Sequence, residues 1–378
     1  MDELNIKIAA MIEYIEILTS IAINKNQHEL ANKLDIIKER VEFAKTDDEL
    51  NIYKSTIKEI DDSLNQLTRE LTYREKALVE RGYSKKEVLE LSSFTQKQFD
   101  EKKTIIIDRI TKNNKRVHNP ISIYIGGQPG CGKTTLSRKL RMQPNENGLV
   151  EISLDNYRSY HPNYLKMEEC IKKHWENKVE TDNDSKGNDI ADFTHNFVEL
   201  MSDALLDEVT KPVDSKAYNI VLEWGMRNPD APLERLRNMK QLGYTNIVDF
   251  IVVNKKLSRE ACKIRANVMN NYNHIIRRVP DYFHEQCITS LPKSAKKIYE
   301  IGYKKEKVVD QFMLSNRANK TIWDQTHSED LETVYEEYLH NEELTDSFNN
   351  NSDLSITSYF EEHSGFEDNN NEETKKQM

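Results

Sequence analysis

Apolar positions in the first third of the chain recur at helical spacing. Ile57, Ile60, Leu64, Leu67 and Leu71 step by three and four residues and predict one continuous stripe on a helix. The pattern repeats in Met11, Ile12, Ile15, Leu18 and Ala22, and again in Leu30, Leu34, Ile37 and Val41. Ser84, with Glu87 three residues on, fits a capping box that opens a further helix. Residues 1–115 hold no proline and a single glycine, Gly82. They are expected to form an all-α helical bundle.

The pattern changes at Asn119-Pro120. Ile121 to Ile125 is short, apolar and β-branched and ends in Gly126-Gly127, so it predicts a buried strand. Further strands are expected at 151–154, at 219–222 ending on Glu223, and at 246–253. Helices are expected over 163–179, 190–209, 231–242, 258–275 and 281–301, with a polar loop over 180–192. Gln311 to Ser315 and Lys320 to Trp323 read as a closing strand pair. Such alternation predicts an α/β domain over 119–325, a parallel sheet with helices on both faces. Order is expected to fade after about residue 326. Residues 340–378 are rich in Asn, Glu, Asp and Ser and read as an acidic disordered tail, because such a composition buries too little to offset the entropy of ordering.

Charge narrows the functional classes. Lys and Arg number 54 against 64 Asp and Glu, a net charge of -10, which argues against a nucleic-acid or anionic-membrane binder. A local basic pocket for a phosphorylated small molecule remains open. Cys131, Cys170, Cys262 and Cys287 form no CxxC pair and read as free thiols of a reducing compartment, the cytoplasm. The start Met1-Asp2-Glu3 lacks the basic residues of a signal peptide, and no apolar run approaches the ~18 residues of a membrane span.

The strongest chemical signal is Gly127-Gln128-Pro129-Gly130-Cys131-Gly132-Lys133-Thr134-Thr135. It fits G-x-x-x-x-G-K-[ST] and lies between an expected strand and an expected helix, the context that motif requires. Glycines let the backbone curl so that N–H groups face β- and γ-phosphate oxygens, and the helix N-terminus adds its positive dipole end. Lys133 supplies a point charge, and the Thr134 hydroxyl can hold Mg²⁺.

Such a loop serves hydrolases, kinases and nucleotide switches alike, so the acceptor decides. Asp155 follows the second strand, within Leu154-Asp155-Asn156-Tyr157. Ligands of open α/β sheets collect at the carboxyl ends of strands, where Asp155 could deprotonate an acceptor hydroxyl. A helix N-cap is the other reading of the same aspartate.

Gly127-Gln128-Pro129-Gly130, followed by Asp155-Asn156-Tyr157-Arg158-Ser159-Tyr160-His161-Pro162, resembles the zeta toxins, the kinases of epsilon/zeta toxin–antitoxin systems. The likeness continues in order through Val221-Leu222-Glu223 with Arg227, Arg265 with Arg277-Arg278, Pro280, His284, Ile298 to Gly302, and Ser315-Asn316-Arg317. It covers roughly residues 119–325. The resemblance implies transfer of the γ-phosphate of ATP to the 3′-hydroxyl of the sugar in UDP-N-acetylglucosamine or a related UDP-amino sugar, which starves cell-wall synthesis. It makes Asp155 the general base and Lys133 the phosphate lysine. Arg265 and one of Arg277 and Arg278 become the arginines that neutralise the transferring group. Glu223, Arg227 and, on the helix after Phe197-Val198, Glu199 become sugar contacts. Trp224-Gly225-Met226 departs from the family's small Gly-Thr-Gly, and Trp224 reads either as a stacking platform or as core. The resemblance also implies a helical antitoxin acting in trans. Residues 1–115 are expected to dock or oligomerise, or else to inhibit in cis through a swinging linker, Thr111 to Arg116. A kinase of another hydroxyl acceptor and a nucleotide switch signalling through the bundle are the alternatives.

Overall fold

A computed structural model describes residues 3–24, 27–142, 147–176, 183–269, 275 and 279–341. The chain divides into two compact units that do not follow chain order. One comprises 1–106, 157–181 and 189–201; the other comprises 107–156, 182–188 and the chain from Ser202 on.

The first unit begins with α1 (Glu3–Asn24), α2 (His28–Glu42) and α3 (Asp47–Thr68). The expected stripes meet here: Ile15, Leu18, Ala22, Leu34, Ile37, Val41, Ile57, Ile60 and Leu64 form one buried cluster. The stripe does not run on to Leu71. α3 ends at Thr68, and a capping box opens α4 (Tyr73–Glu80): Thr72 Oγ1 accepts from the Glu75 N–H and the Glu75 carboxylate accepts from the Thr72 N–H. Arg69 at this junction pairs with the Glu75 carboxylate. The Ser84–Glu87 box forms as expected and opens α5 (Lys85–Ser92), followed by α6 (Gln96–Thr111). The rest of the unit comes from α8 (Tyr164–Trp175) and from parts of α9 (Asn183–Phe193) and α10 (His195–Thr210). The 183–192 part of the expected polar loop is therefore helical, and the expected 190–209 helix is broken at Thr194. Phe94 and Phe99 pack with His161 and Phe197 edge to face, with Phe94 and Phe197 centroids 5.2 Å apart.

The second unit holds the sheet. β2 (Ile121–Gly127), β3 (Val150–Ser153), β5 (Ile220–Glu223), β6 (Thr245–Ile251), β7 (Gln311–Ser315) and β8 (Thr321–Asp324) lie in the order β3-β5-β2-β6-β7-β8. All neighbours are parallel except β7 and β8. β2 is buried at every position, as a parallel strand covered on both faces must be. Ile121, Ile123, Ile125, Ile247 and Ile251 pack against Leu136 and Leu140 of α7 (Lys133–Met142). An aromatic cluster of Phe250, Tyr299, Phe312, Trp323 and Tyr335 forms a second core. α11 (Asp230–Gln241), α12 (Lys255–Met269) and α13 (Asp281–Ile298) follow the expected order, with α13 passing into a π-helical turn over Tyr299–Lys305.

Order does not fade at 326. Asp330 caps α14 (Leu331–His340) by accepting from the Thr333 N–H, and Leu331, Val334, Tyr335 and Leu339 are buried. From residue 342 the expected tail lies outside the described residues. The expected linker is tied down as well. Asn114 caps α6 through the Ile110 carbonyl, Lys115 N–H donates to Asn147 O, and Arg116 begins β1 (Arg116–Val117), which pairs with β4 (Ala217–Tyr218).

Candidate active site

The phosphate-binding loop follows β2 and leads into α7. Gly127 and Gly130 take left-handed φ values of 135° and 79°. Both also lack room: a Cβ on Gly127 would stand 2.5 Å from Ile251 O, and one on Gly130 would stand 2.1 Å from Ser258 O. Lys133 Nζ donates to Gly127 O at 2.8 Å and Gln128 O at 3.0 Å, so the ammonium is held against the loop's own backbone. The first turn of α7 carries amide groups with no intrahelical acceptor, which makes its N-terminus an anion site. Buried Gln128 is locked from below by donating to Val253 O.

The parallel sheet brings three chain segments together. β5 lies between β3 and β2, and Glu223 stands in register with Ser153 on one side and Ile125 on the other. The carboxyl ends of β3, β5 and β2 thus present Asp155, Glu223 and the phosphate loop side by side. The Thr134 hydroxyl donates to Glu223 Oε2 at 2.9 Å. Burial and the neighbouring Glu151 carboxylate push Glu223 up to about 7, against the opposing influence of Thr134 and Lys133. Asp155 is exposed, in the first turn of a 3₁₀ segment over Leu154–Tyr160.

Glu151 was not singled out by the sequence pattern. It accepts from Ser137 Oγ at 3.0 Å and pairs with Arg141 Nη2 at 2.8 Å. Thr134, Ser137 and Arg141 step along α7 by three and four, and that polar stripe was the available signal. Arg317, placed by the turn after β7, was noted only as part of a motif. Its Cγ is 3.9 Å from where a Gly132 Cβ would stand, beside the phosphate loop.

Arg227 is also pre-positioned. Its guanidinium lies 4.3 Å over the Phe283 ring and donates to Gln286 Oε1 at 3.1 Å. The preceding turn is strained at Met226, buried with φ 45°, whose carbonyl accepts from Ser294 Oγ. One face of Trp224 carries the Arg235 guanidinium at 4.3 Å, and Arg235 is paired with Asp203. The indole is thus committed to α11 on that face.

Arg265 is exposed on α12, while Arg277 and Arg278 lie outside the described residues. Glu199 belongs to the first unit, where it is exposed on α10 and 3.2 Å from His195 Nε2. His161, of the His-Pro motif, is buried in that unit, and burial lowers it to about 4, so the ring is neutral. Its Nδ1 accepts from the Asn163 N–H. The Asn163 amide in turn donates to the Glu90, Leu91 and Ser93 carbonyls at the end of α5. The motif thus joins α5 to α8.

Among the described residues no helix is long and apolar enough to cross a membrane, and no group of three acidic, His or Cys side chains is gathered for a metal.

The chain is similar to several known proteins. Toxin PezT of Streptococcus pneumoniae serotype 4 is 25% identical over 237 residues, 62% of this chain and 84% of its own. Toxin zeta of Streptococcus agalactiae is 24% identical over 213 residues, 56% of this chain and 67% of its own. A solved chain from the PezAT chromosomal toxin–antitoxin system of Streptococcus pneumoniae superposes with a TM-score of 0.53 at 23% identity, over 67% of this chain and 90% of that one, and shares the fold. The sequence profile described as Zeta toxin matches residues 105–328, well over half of the 378. A match over that much of the chain places it in the family: the chain belongs to the zeta toxins.

Proposed function

We propose that the protein is an ATP-dependent kinase that phosphorylates the 3′-hydroxyl of the sugar in UDP-N-acetylglucosamine or a related UDP-amino sugar. In this reading it is a toxin against cell-wall synthesis, acts in the cytoplasm and is restrained by an antitoxin. The observation that carries it is the placing of Asp155, Glu223 and the Gly127–Thr135 loop at the carboxyl ends of three adjacent parallel strands.

The residues fit the groups the reaction needs. Loop amides, Lys133 and the start of α7 offer only donors and positive charge, which suits a polyphosphate. Gly127, Gln128, Pro129, Gly130, Cys131, Gly132, Lys133, Thr134 and Thr135 would form its cradle. Thr134 and Glu223 gather oxygen atoms where Mg²⁺ would be held, and the metal, when bound, supplies charge neutralisation for the phosphates. Asp155 accepts the proton of the acceptor hydroxyl, and Lys133, with Arg265 and the Arg277–Arg278 pair, opposes the charge spread over the transferring group. Arg227, stacked and bridged in advance, offers a planar fork to the acceptor's diphosphate. Glu223 is the carboxylate proposed for the sugar in the unit that holds the loop; the same role for Glu199 rests on the family resemblance alone.

The test is incubation of the full chain with ATP, Mg²⁺ and a panel of UDP-sugars, read by mass spectrometry. UDP-N-acetylglucosamine should gain one phosphoryl group. Asp155→Ala should lower transfer by roughly 10²–10⁴-fold, the usual contribution of a positioned base, while ATP still binds. Near wild-type transfer by that variant would remove Asp155 from the chemistry.

A further inference from the structure

The phosphate loop lies on one continuous stretch of chain, from the end of β6 into the first turns of α12. Gln128 Nε2 donates to Val253 O. A Cβ on Gly127 would meet Ile251 O at 2.5 Å, and one on Gly130 would meet Ser258 O at 2.1 Å and Cys262 Sγ at 2.9 Å. The loop can press so closely on residues 251–262 only because both positions are glycine. Asn254 starts α12 beneath it, its side chain accepting from the Lys256 N–H at 2.9 Å and its carbonyl from the Ser258 N–H at 3.0 Å.

This floor is held from its far side by α13. Ser258 and His284 are both buried, and Ser258 Oγ is hydrogen-bonded to His284 Nε2 at 2.9 Å. Among the described residues His284 Nδ1 has no hydrogen-bond partner, so Nε2 is the ring's polar link. Burial, with the Arg259 guanidinium nearby, lowers the ring below the usual histidine range and keeps it neutral. Beside Ser258, Arg259 Nη1 donates to Val279 O at 2.7 Å and pairs with Asp281 in the first turn of α13. Pro280 precedes that turn, and its carbonyl accepts from the His284 N–H at 3.0 Å, the first bond of the helix. The spacing of Pro280 and His284 thus has a physical content. The proline fixes where α13 begins, and one turn later the ring meets Ser258. Removing either member of the Ser258–His284 pair leaves the other buried and unsatisfied, so the contact holds α12 in one place under the loop.

We propose that His284 is a positioning residue for the nucleotide: by holding Ser258 it fixes the floor of the phosphate loop, and so the direction of the loop amides that receive the phosphates. The proposal rests on the reading of ATP as phosphoryl donor given above. All its parts belong to the unit that holds the sheet. It gives the Pro280–His284 motif a part in nucleotide binding without a contact to the nucleotide.

The experiment uses the full chain as wild type and as His284→Ala, His284→Gln and Ser258→Ala, at a temperature where circular dichroism shows the variants folded. Two quantities are read: Kd for ATP with Mg²⁺ by calorimetric titration, and amide hydrogen exchange of peptides covering 127–135, with α11 peptides over 230–241 as the reference. His284→Ala should weaken ATP binding by roughly tenfold or more, as loss of pre-organisation does, and should speed exchange in 127–135 more than in 230–241. Ser258→Ala cuts the same bond from the other side and should move both readouts in the same direction. His284→Gln can place an amide where Nε2 stands and should recover much of the affinity. If His284→Ala does not fold, Ser258→Ala and His284→Gln decide between them. Wild-type ATP affinity in the folded alanine variants, with only a lower Tm, overturns the proposal and makes the pair a matter of packing. So does exchange that rises equally in 127–135 and 230–241, the sign of general loosening, and so does a glutamine variant no better than the alanine one. A wild-type chain that binds no ATP defeats instead the reading of the donor, and the proposal with it.

Discussion

Asp249 shows how a single buried carboxyl writes itself into the stability of this protein. It sits in the middle of β6, 1% exposed, with Ser315 Oγ donating to its Oδ2 at 3.0 Å and, among the described residues, no hydrogen-bond partner on Oδ1. Burial pushes it from the usual 3.8 up to about 7. The sign of the linkage follows. Between pH 3.8 and 7 the unfolded chain has released a proton that the folded chain keeps, so stability falls as pH rises through that window and levels off above it. Asp249→Asn keeps the shape and the acceptor for Ser315 without an ionisable group. It should therefore stabilise the protein at pH 8 by up to about 4 kcal/mol and by almost nothing at pH 4. Urea unfolding of both proteins at the two pH values measures this, and an equal difference at both would show that the carboxyl does not titrate as described. Residues of the site follow the same physics with different neighbours: Glu223 is also raised by burial, but Thr134 donates to it and Glu151 competes beside it.

At the scale of elements, the phosphate loop is where local geometry and function coincide most tightly. Gly130→Ala would place a methyl group 2.1 Å from the Ser258 carbonyl of α12 in a backbone conformation that side chains avoid. The loop must then shift away from α12. ATP affinity should fall by at least an order of magnitude and stability by roughly 1–3 kcal/mol, read by calorimetric titration and denaturant unfolding; full affinity in the variant would mean the loop tolerates another path. This loop, the strand before it and the parallel order were legible in the sequence because glycines, β-branched runs and the lysine-threonine pair each have one dominant structural meaning. α14 was not legible, because its four buried positions lie inside a polar composition and only the Asp330 cap marks its start. α9 was missed because Asp189 and Asp192 look like solvated loop residues until Arg81 and Tyr83, more than 100 positions away, are seen to bury them. His161 is similar: its motif points to the site, whereas its contacts with Phe94 and Phe197 place it in a core. Trp224 could not be decided either, since the Arg235 that stacks on it arrives from the next helix.

At the scale of the whole molecule, the question is what the helices before the phosphate loop are for. They are not equivalent to one another. α1, α2 and α3 share a core of their own built on Ile15, Leu18, Leu34, Val41, Ile57 and Leu64. The helices after Tyr73 are committed elsewhere in the same unit. Phe94 and Phe99 pack on His161 and Phe197, Asn163 caps the end of α5, and Arg81 and Tyr83 hold Asp189. Removing residues 1–116, the cut that would release an inhibitor held in cis, therefore strips the aromatic core and takes away the Arg81, Arg74 and Tyr83 partners of Asp189 and Asp192 together with the helices that bury them. Loss of a core aromatic side chain alone costs roughly 3–5 kcal/mol, comparable to the total stability of a domain. A chain starting at residue 117 should melt far below the full protein, show weakened helical circular dichroism and phosphorylate no UDP-sugar. A chain starting at residue 69 keeps Arg69 paired with Glu75 and loses only the separately cored helices. It should fold and retain transfer within a few-fold of the full chain, although Lys97 loses its Glu59 partner and the surface that α3 covers around it becomes exposed. A folded 117-start protein more active than the full chain would reverse this assignment and make the N-terminal helices an inhibitor. Folding and activity of the 69-start protein alone leave α1–α3 as the part of the chain available for docking.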